Sequence, residues 1–149
     1  MQKNTLKTVL LLPAIILISV FLLGNGGYNR PHSSVIANLI SCYDADTCSF
    51  DIPNWPPIIG RKISVRIAGI DAPEIRGKCE AEKIKAVEAK KAALALLSAA
   101  KSITLTDLRR GKYFRIIANV WADNTSLSAH LLALDLARPY FGGTRKSWC

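Results

Sequence analysis

The pattern of hydrophobic and polar residues predicts three short strands in the first half of the chain. In these runs β-prone residues cluster or apolar and polar residues alternate, as in strands with one buried face. The runs cover residues 35–40, 48–52 and 63–68. Residues 43–47 have turn character, and the prolines of residues 53–60 mark a loop. The first two strands are therefore expected to form a hairpin.

The second half of the chain changes to a helical pattern and then returns to strands. Residues 79–100 are rich in Ala, Leu, Lys and Glu, which are strong helix formers. Four apolar residues recur there at helical spacing and are expected to face the core: Ile84, Val87, Leu94 and Leu97. Two further strands are predicted at 102–106 and 113–121. A second helix, capped by Thr125 or Ser126, is predicted to run to about Leu136.

The predicted order of elements is three strands, a helix, two strands and a helix. Five short strands with an inserted helix are typical of a small closed barrel of the OB type. An antiparallel sheet fits better than a doubly wound one, because strands and helices do not alternate one for one. The predicted fold class is α+β: a five-stranded OB-type antiparallel β-barrel with two to three helices, formed by residues 35–149.

The N-terminal region has the composition of a targeting segment. Lys3 and Lys7 precede an uncharged run of 15 residues, 9–23, which is followed by small residues. The run is shorter than the roughly 20 residues of a transmembrane helix, and no Ala-x-Ala site follows it. Residues 1–24 are therefore interpreted as a signal peptide or an N-terminal membrane anchor, and 25–34 as a linker. Either interpretation predicts export: a periplasmic or secreted protein, or one anchored to the inner membrane by this segment.

The charge of the chain narrows the range of partners. Lys and Arg number 20 against 11 Asp and Glu, for a formal net charge of +9, and only two of the lysines lie in the targeting segment. A basic domain is attracted to nucleic acid or to an anionic membrane surface. Many small exported proteins are basic without such a partner, so charge alone leaves these interpretations open.

The four cysteines predict disulfides rather than a metal site. None lies in a C-x-x-C pair and the chain has two histidines, which disfavours structural zinc. An oxidising compartment favours disulfides, and four cysteines allow three pairings. Cys42 and Cys48 are symmetric about Ala45, so a tight hairpin would place them opposite each other, close to disulfide range. We therefore hypothesise Cys42–Cys48 and, from the remaining pair, Cys79–Cys149.

Charged residues at the predicted turns and strand ends suit phosphodiester hydrolysis. That reaction builds up negative charge, which a hard cation with oxygen ligands can neutralise, and Asp46 and Asp71 suit calcium. Glu74 can take the proton from a water molecule. Arg66 and Arg115 can each bind two phosphate oxygens.

Each of these residues also has an ordinary structural role when considered singly. Asp44 and Asp46 are common turn formers between strands. Arg66 and Arg115 fit solvated strand positions, and residues 71–74 fit a turn that enters a helix. Residue types and spacing alone therefore do not select the catalytic interpretation.

Four segments of the sequence together resemble the staphylococcal nuclease (thermonuclease) family. Residues 65–74, VRIAGIDAPE, resemble its V-R-L-x-G-I-D-A/T-P-E signature. The other segments are DADT at 44–47 for D-G-D-T, KYFR at 112–115 for K-Y-G-R, and LLALDLA at 131–137 for L-L-x-x-G-L-A. The match is collinear from about residue 35 to 140, and the ending G-G-T-R-K-S-W-C resembles small bacterial members.

The resemblance implies a role for each matching residue. The expected calcium ligands are Asp46, Asp71 and the backbone carbonyl of Ala72. The expected catalytic residues are Arg66 and Arg115, which would bind the scissile phosphate, and Glu74, which would be the general base. Lys112 and Tyr113 would contact a phosphate or stack near the nucleotide. Ala45 replaces the usual turn glycine, which costs free energy if that position needs φ > 0.

The predicted function is a calcium-dependent endonuclease that hydrolyses phosphodiester bonds of DNA, RNA or both with little sequence specificity. The protein is expected to be a monomer that touches a membrane only through an uncleaved N-terminal segment. One alternative is a catalytically weak or inactive OB-type module of the cell envelope that binds nucleic acid. Another is a protein whose basic face contacts anionic lipid. Degenerate family members are expected to lose Arg66, Glu74 or Arg115, and this chain retains all three.

Overall fold

A computed structural model describes residues 33–113 and 115–149. The targeting segment, the linker up to residue 32, and Phe114 lie outside the described residues. The elements of the described part follow in the order β1 (Ser34–Asp44), β2 (Thr47–Asp51), α1 (Pro57–Gly60), β3 (Ile63–Ile67), β4 (Ile70–Asp71), α2 (Glu80–Ala99), β5 (Ile103–Arg110), β6 (Ile116–Ala122), β7 (Thr125–Ser126), α3 (Leu127–Ala133) and β8 (Arg138–Pro139).

Five strands close into a barrel in the order β3, β2, β1, β5, β6, with β3 returning to pair with β6. The neighbouring pairs are antiparallel, and the closing pair is parallel, with Val65 opposite Ile116 and Ile67 opposite Ala118. A parallel pair needs a long crossover connection, which α2 and β5 provide. The predicted α+β OB-type barrel is confirmed, with one parallel pair in an otherwise antiparallel barrel.

The barrel interior is filled by residues that alternate along each strand. In β6, for example, buried and partly buried positions alternate from Ile117 to Ala122. The largest buried side chains of the strands are apolar: Phe50, Val65, Ile67, Leu105 and Val120. The strand periodicity therefore predicted the core correctly, because alternate side chains of a strand point to opposite faces.

Helix α2 packs on the barrel with a face that agrees only in part with the one predicted. Its buried residues are Glu82, Ala86, Ala89, Ala93 and Leu97. Leu97 is buried and Leu94 packs against the core, as predicted, but Ile84 is 63% exposed and Val87 is 44% exposed. The alanines let the helix backbone approach β1 closely, and their small side chains carry too little hydrophobic signal to reveal this face from the sequence.

In the hairpin of β5 and β6, the first strand is longer than predicted and the second strand begins later. Strand β5 continues to Arg110, and β6 begins only at Ile116. Tyr113, where the second strand was predicted to start, has φ of 56° and belongs to the turn. The left-handed conformation of Tyr113 turns the chain before β6 begins, so the basic residues of this region lie at the hairpin end.

The β1–β2 hairpin carries the first disulfide. Cys42 lies opposite Cys48, and the two are bonded, which confirms the predicted pairing. A register shift between Cys42 and Asp44 leaves the turn centred between Ala45 and Asp46. Ala45 is buried and is not among the residues with positive φ, so the replacement of the usual glycine does not strain the turn.

The second predicted disulfide is also confirmed and joins Cys149 to Cys79, the residue that precedes α2. The carboxylate of Glu82 lies close to both sulfur atoms. Disulfide sulfurs are not thiolate ligands, so this group is not a metal centre while the bond is intact.

No helix in residues 33–113 and 115–149 is long and apolar enough to cross a membrane.

Candidate metal and phosphate site

Two buried carboxylates are brought together at one end of the barrel. Asp46 is in the β1–β2 turn and Asp71 is the last residue of β4. One oxygen of Asp46 (Oδ2) accepts a hydrogen bond from the backbone N–H of Ala72 at 2.9 Å, and the other (Oδ1) accepts from the hydroxyl of Thr47 at 3.0 Å. The turn and the end of β4 are therefore linked directly, although 26 residues separate Asp46 from Ala72.

The guanidinium of Arg66 lies between these carboxylates. Its Nη1 pairs with Oδ1 of Asp46, and its Nη2 is 3.5 Å from Oδ1 of Asp71. Strand pairing explains the first contact, because Arg66 of β3 lies opposite Thr47, the residue that follows Asp46. Nη2 also donates to the carbonyl oxygen of Ile70 at 3.3 Å, which fixes the orientation of the guanidinium plane.

A third buried carboxylate, that of Asp44, lies beside Asp46. Burial and, to a smaller extent, the neighbouring charge of Asp46 raise the pKa of Asp44 from 3.8 to about 7. Within the described residues, its Oδ1 has no hydrogen-bond donor. A group of buried oxygen acceptors, one of them without a donor, suits a hard cation such as Ca²⁺. The residues present at this end of the barrel therefore fit a calcium ion.

Glu74 follows the buried carboxylates along a loop whose backbone is held by Glu82. The first carboxylate oxygen of Glu82 accepts from the N–H of Glu74 at 3.3 Å, and the second accepts from the N–H of Lys78 at 2.9 Å. A side chain at Gly77 would come within 2.4 Å of Glu82, so the glycine permits this approach. Sequence reasoning missed Glu82; an acidic residue in the first turn of a helix after a glycine-containing loop was the available signal.

Arg115 lies immediately before β6, the strand that pairs with the strand of Arg66. In β6, Ile117 is aligned with Arg66 of β3. Lys112 and Tyr113 lie in the exposed turn before Arg115, and Tyr113 is 85% exposed. In the described residues, no side-chain hydrogen bond or salt bridge joins these three residues to the carboxylates. The structure thus brings five predicted residues together at one end of the barrel (Asp46, Arg66, Asp71, Ala72 and Glu74) and places the other three at the adjoining hairpin.

The C-terminal segment, residues 138–149, contributes contacts that sequence reasoning did not predict. Arg145 pairs through Nε with Oδ1 of Asp71 at 3.1 Å and through Nη1 with Oε1 of Glu74 at 2.5 Å. Burial alone would lower the pKa of Arg145, but Asp71 and Glu74 raise it above its ordinary value. Trp148 Nε1 donates to the other oxygen of Asp71 at 3.2 Å. The predicted bond of Cys149 to Cys79 was the signal that this segment returns to the site.

Comparison with protein families gives the chain its classification. The model of the family described as staphylococcal nuclease homologue matches residues 64–147, which is more than half of the chain. No curated protein matches it. The chain belongs to the staphylococcal nuclease family. Members of this family are generally nucleases that hydrolyse phosphodiester bonds of nucleic acids, and they generally use Ca²⁺.

Proposed function

We propose that the protein is a calcium-dependent endonuclease that hydrolyses phosphodiester bonds of DNA, RNA or both with little sequence specificity. The observation that carries this proposal is the convergence of Asp46, Asp71 and Arg66 at one end of the barrel. Buried carboxylates carry a large desolvation cost and are retained where they are paired or bind a cation. Arg66 pairs with both, and Glu74 lies three residues beyond Asp71.

Asp46, Asp71 and the backbone carbonyl of Ala72 would hold the calcium ion. The hydrogen bond from Ala72 N–H to Asp46 supports this arrangement because it keeps the two ligand-bearing segments in contact. When bound, the ion would neutralise charge on the reacting phosphate. Asp44 adds a further buried carboxyl group next to Asp46 and increases the attraction of the site for a cation.

Arg66 and Arg115 would bind the scissile phosphate. A guanidinium group can donate two parallel hydrogen bonds to phosphate oxygens, which suits the charge that accumulates on them during hydrolysis. Arg66 is held in place by Asp46 and the carbonyl of Ile70, so little reorganisation is needed when the substrate binds. Arg115 lies immediately before the adjacent strand β6.

Glu74 would accept the proton of the attacking water. Its side chain is partly exposed, so water can reach it. Arg145 pairs with both Glu74 and Asp71, which places Glu74 beside a buried carboxylate. A carboxylate within hydrogen-bond reach of the attacking water meets the geometric requirement for a general base. Glu82 would serve as a positioning residue, because it fixes the backbone of Glu74.

The nucleic acid would be bound mainly through its phosphates. The positive net charge of the chain attracts a polyanion, and contacts limited to phosphates carry no sequence information. The exposed ring of Tyr113 and the amine of Lys112 are available at the β5–β6 hairpin for stacking and phosphate contact. The two disulfides support an exported, periplasmic or secreted location, where oxidation is maintained.

The test is a cleavage assay with the protein expressed from its full-length gene, exported and purified without reductant. Plasmid DNA and ribosomal RNA are incubated with calcium or with a calcium chelator. We expect cleavage only with calcium, and a loss of about 100-fold or more in Arg66→Ala and in Glu74→Gln. Arg61→Ala and Glu88→Gln, which change exposed residues away from the site, are the matched controls. Tight binding without cleavage at every calcium concentration would instead favour the inactive binding module.

A further inference from the structure

The C-terminal segment is fixed at both of its ends against the candidate site. At its start, β8 pairs with β4, so that Pro139 lies opposite Ile70 and Arg138 opposite Asp71. At its end, Cys149 is bonded to Cys79. The residues between these two attachments are therefore confined to the surface beside Asp71 and Glu74.

Trp148 is held in a defined position within the segment. The guanidinium of Arg138 lies 3.8 Å from the centre of its ring, and the amine of Lys85 lies 5.5 Å away. Arg138 also donates to the carbonyl oxygen of Ser147 at 2.9 Å. These cation–π and hydrogen-bond contacts orient the indole N–H toward Asp71.

Both oxygens of Asp71 accept bonds from the C-terminal segment. Arg145 Nε lies 3.1 Å from Oδ1, and Trp148 Nε1 donates to Oδ2 at 3.2 Å. Arg145 at the same time pairs with Glu74. One side chain of the segment thus engages a carboxylate expected to bind calcium and the carboxylate expected to activate water.

We propose that Arg145 competes with the divalent cation for the carboxylates of Asp71 and Glu74, and that the C-terminal segment thereby sets the cation concentration that the site requires. The inference rests on the proposed function, since it concerns the same calcium ligands. A cation that binds Asp71 either displaces Arg145 or shares the Asp71 carboxylate with it. Either event costs free energy. The apparent affinity for the cation equals the intrinsic affinity multiplied by the fraction of molecules in which Arg145 has released the carboxylates.

The strength of this competition is limited by solvent. The side chains of Arg145 and Glu74 are 42% and 45% exposed, so their pairing is weaker than that of a fully buried ion pair. Asp71 is buried, which makes its contact with Arg145 the stronger of the two. The effect is therefore expected to shift the calcium affinity without abolishing binding.

The disulfide keeps Arg145 at a high effective concentration beside the carboxylates. Only three residues separate Arg145 from Cys149, and the bond to Cys79 prevents this end of the chain from moving away. Tethering makes the ion pairs intramolecular and strengthens them without any new contact. Removing the tether is expected to weaken the competition in the same direction as removing Arg145, with a smaller effect.

The experiment is calorimetric titration of calcium into the exported, oxidised protein and three variants. Arg145→Gln is expected to lower the Kd for calcium by about five- to tenfold. The double variant Cys79→Ser/Cys149→Ser is expected to lower it by about two- to fivefold. Lys146→Gln removes the same charge from the neighbouring residue and is expected to change Kd by less than about twofold.

The outcomes separate this inference from the proposed function. An unchanged or higher Kd in Arg145→Gln, or an equal change in Lys146→Gln, overturns the competition while cleavage by the unaltered protein still supports the nuclease. An unaltered protein that binds no calcium overturns both. Circular dichroism of each variant checks that the fold is retained, which is expected because Arg145 and Lys146 lie at the surface.

Discussion

The candidate site has two halves that the molecule holds in different ways. The barrel half consists of Asp46, Arg66 and Asp71, and the loop half consists of Glu74 and Arg145. The barrel half is more buried, and pairing between neighbouring strands determines its geometry. The loop half is partly exposed and depends on Glu82 and on the disulfide at Cys149. Perturbing the first half should therefore affect folding and binding together, whereas perturbing the second should mainly affect the requirement for calcium and the rate.

The largest expected difference concerns the free energy of unfolding, to which the disulfide of the β1–β2 hairpin and the disulfide at Cys149 contribute unequally. Replacing Cys79 and Cys149 by serine should lower the free energy of unfolding by about 4 kcal/mol, and replacing Cys42 and Cys48 by about 2 kcal/mol. The difference arises because the sequence separations are 70 and 6, and a longer closed loop restricts the unfolded chain more. Denaturant unfolding of both variants without reductant measures it. Equal losses would show that loop length does not govern their contributions.

Within the barrel half, Arg66 is expected to stabilise the fold as well as bind phosphate. Arg66→Gln leaves buried Asp46 without its cationic partner and leaves Asp71 with Arg145 alone, and should lower the free energy of unfolding by about 3 kcal/mol at pH 8 in a calcium chelator. Arg61→Gln, at an exposed position, should change it by no more than about 0.5 kcal/mol. Calcium should restore part of the loss in Arg66→Gln. A similar loss in both variants would remove the distinction between buried and exposed arginines.

The buried carboxyl of Asp44 is expected to give the barrel half a pH dependence. Its pKa is raised from 3.8 to about 7, so between these values the folded protein retains a proton that the unfolded chain has lost. The contribution of Asp44 to stability is therefore greatest below pH 4 and decreases as the pH rises to 7, by at most about 1.4 kcal/mol per pH unit. Urea unfolding at a series of pH values in a chelator measures this slope. Asp44→Asn should flatten it, and a slope that persists in this variant belongs to another group.

The smallest expected effect on stability concerns the loop half. Gly77→Ala places a methyl group against Glu82 and should break the hydrogen bonds from Glu82 to the backbone of Glu74 and Lys78. The expected cost is about 1–2 kcal/mol in unfolding free energy, with about a tenfold loss of cleavage rate and an unchanged Kd for a single-stranded oligonucleotide. Glu82→Gln, which keeps one carbonyl acceptor, should have a smaller effect. If Gly77→Ala cleaves at the normal rate, the position of Glu74 does not depend on Glu82.

The features predicted correctly from the sequence are those with short-range patterns. Alternation identified the strands of the barrel, and the symmetric placement of Cys42 and Cys48 identified the hairpin disulfide. The α2 face was predicted only in part: Leu94 and Leu97 pack on the core, but alanines take the place expected for Ile84 and Val87. The start of β6 was misplaced because the positive φ of Tyr113 has no signature in a non-glycine residue.

The missed site residues are those whose contacts span most of the domain. Arg145 and Glu74 are 71 residues apart, and Trp148 and Asp71 are 77 residues apart. Periodicity reports which face of an element is buried, but it does not report which distant segment covers that face. The pairing of Cys79 with Cys149 indicated that the C-terminal end returns to the middle of the chain, but not which of its side chains reach the carboxylates.

The parallel pairing of β3 with β6 has a consequence for how the protein behaves in solution. Open sheets present edge strands whose free N–H and C=O groups can pair with other chains and start aggregation. In the described residues, β3 would be such an edge, and its pairing with β6 closes the ring. Because the protein is proposed to work outside the cytoplasm, cytoplasmic chaperones would not be present to recover aggregated chains. The same pairing that aligns Arg66 with the strand after Arg115 thus also removes β3 as a free edge.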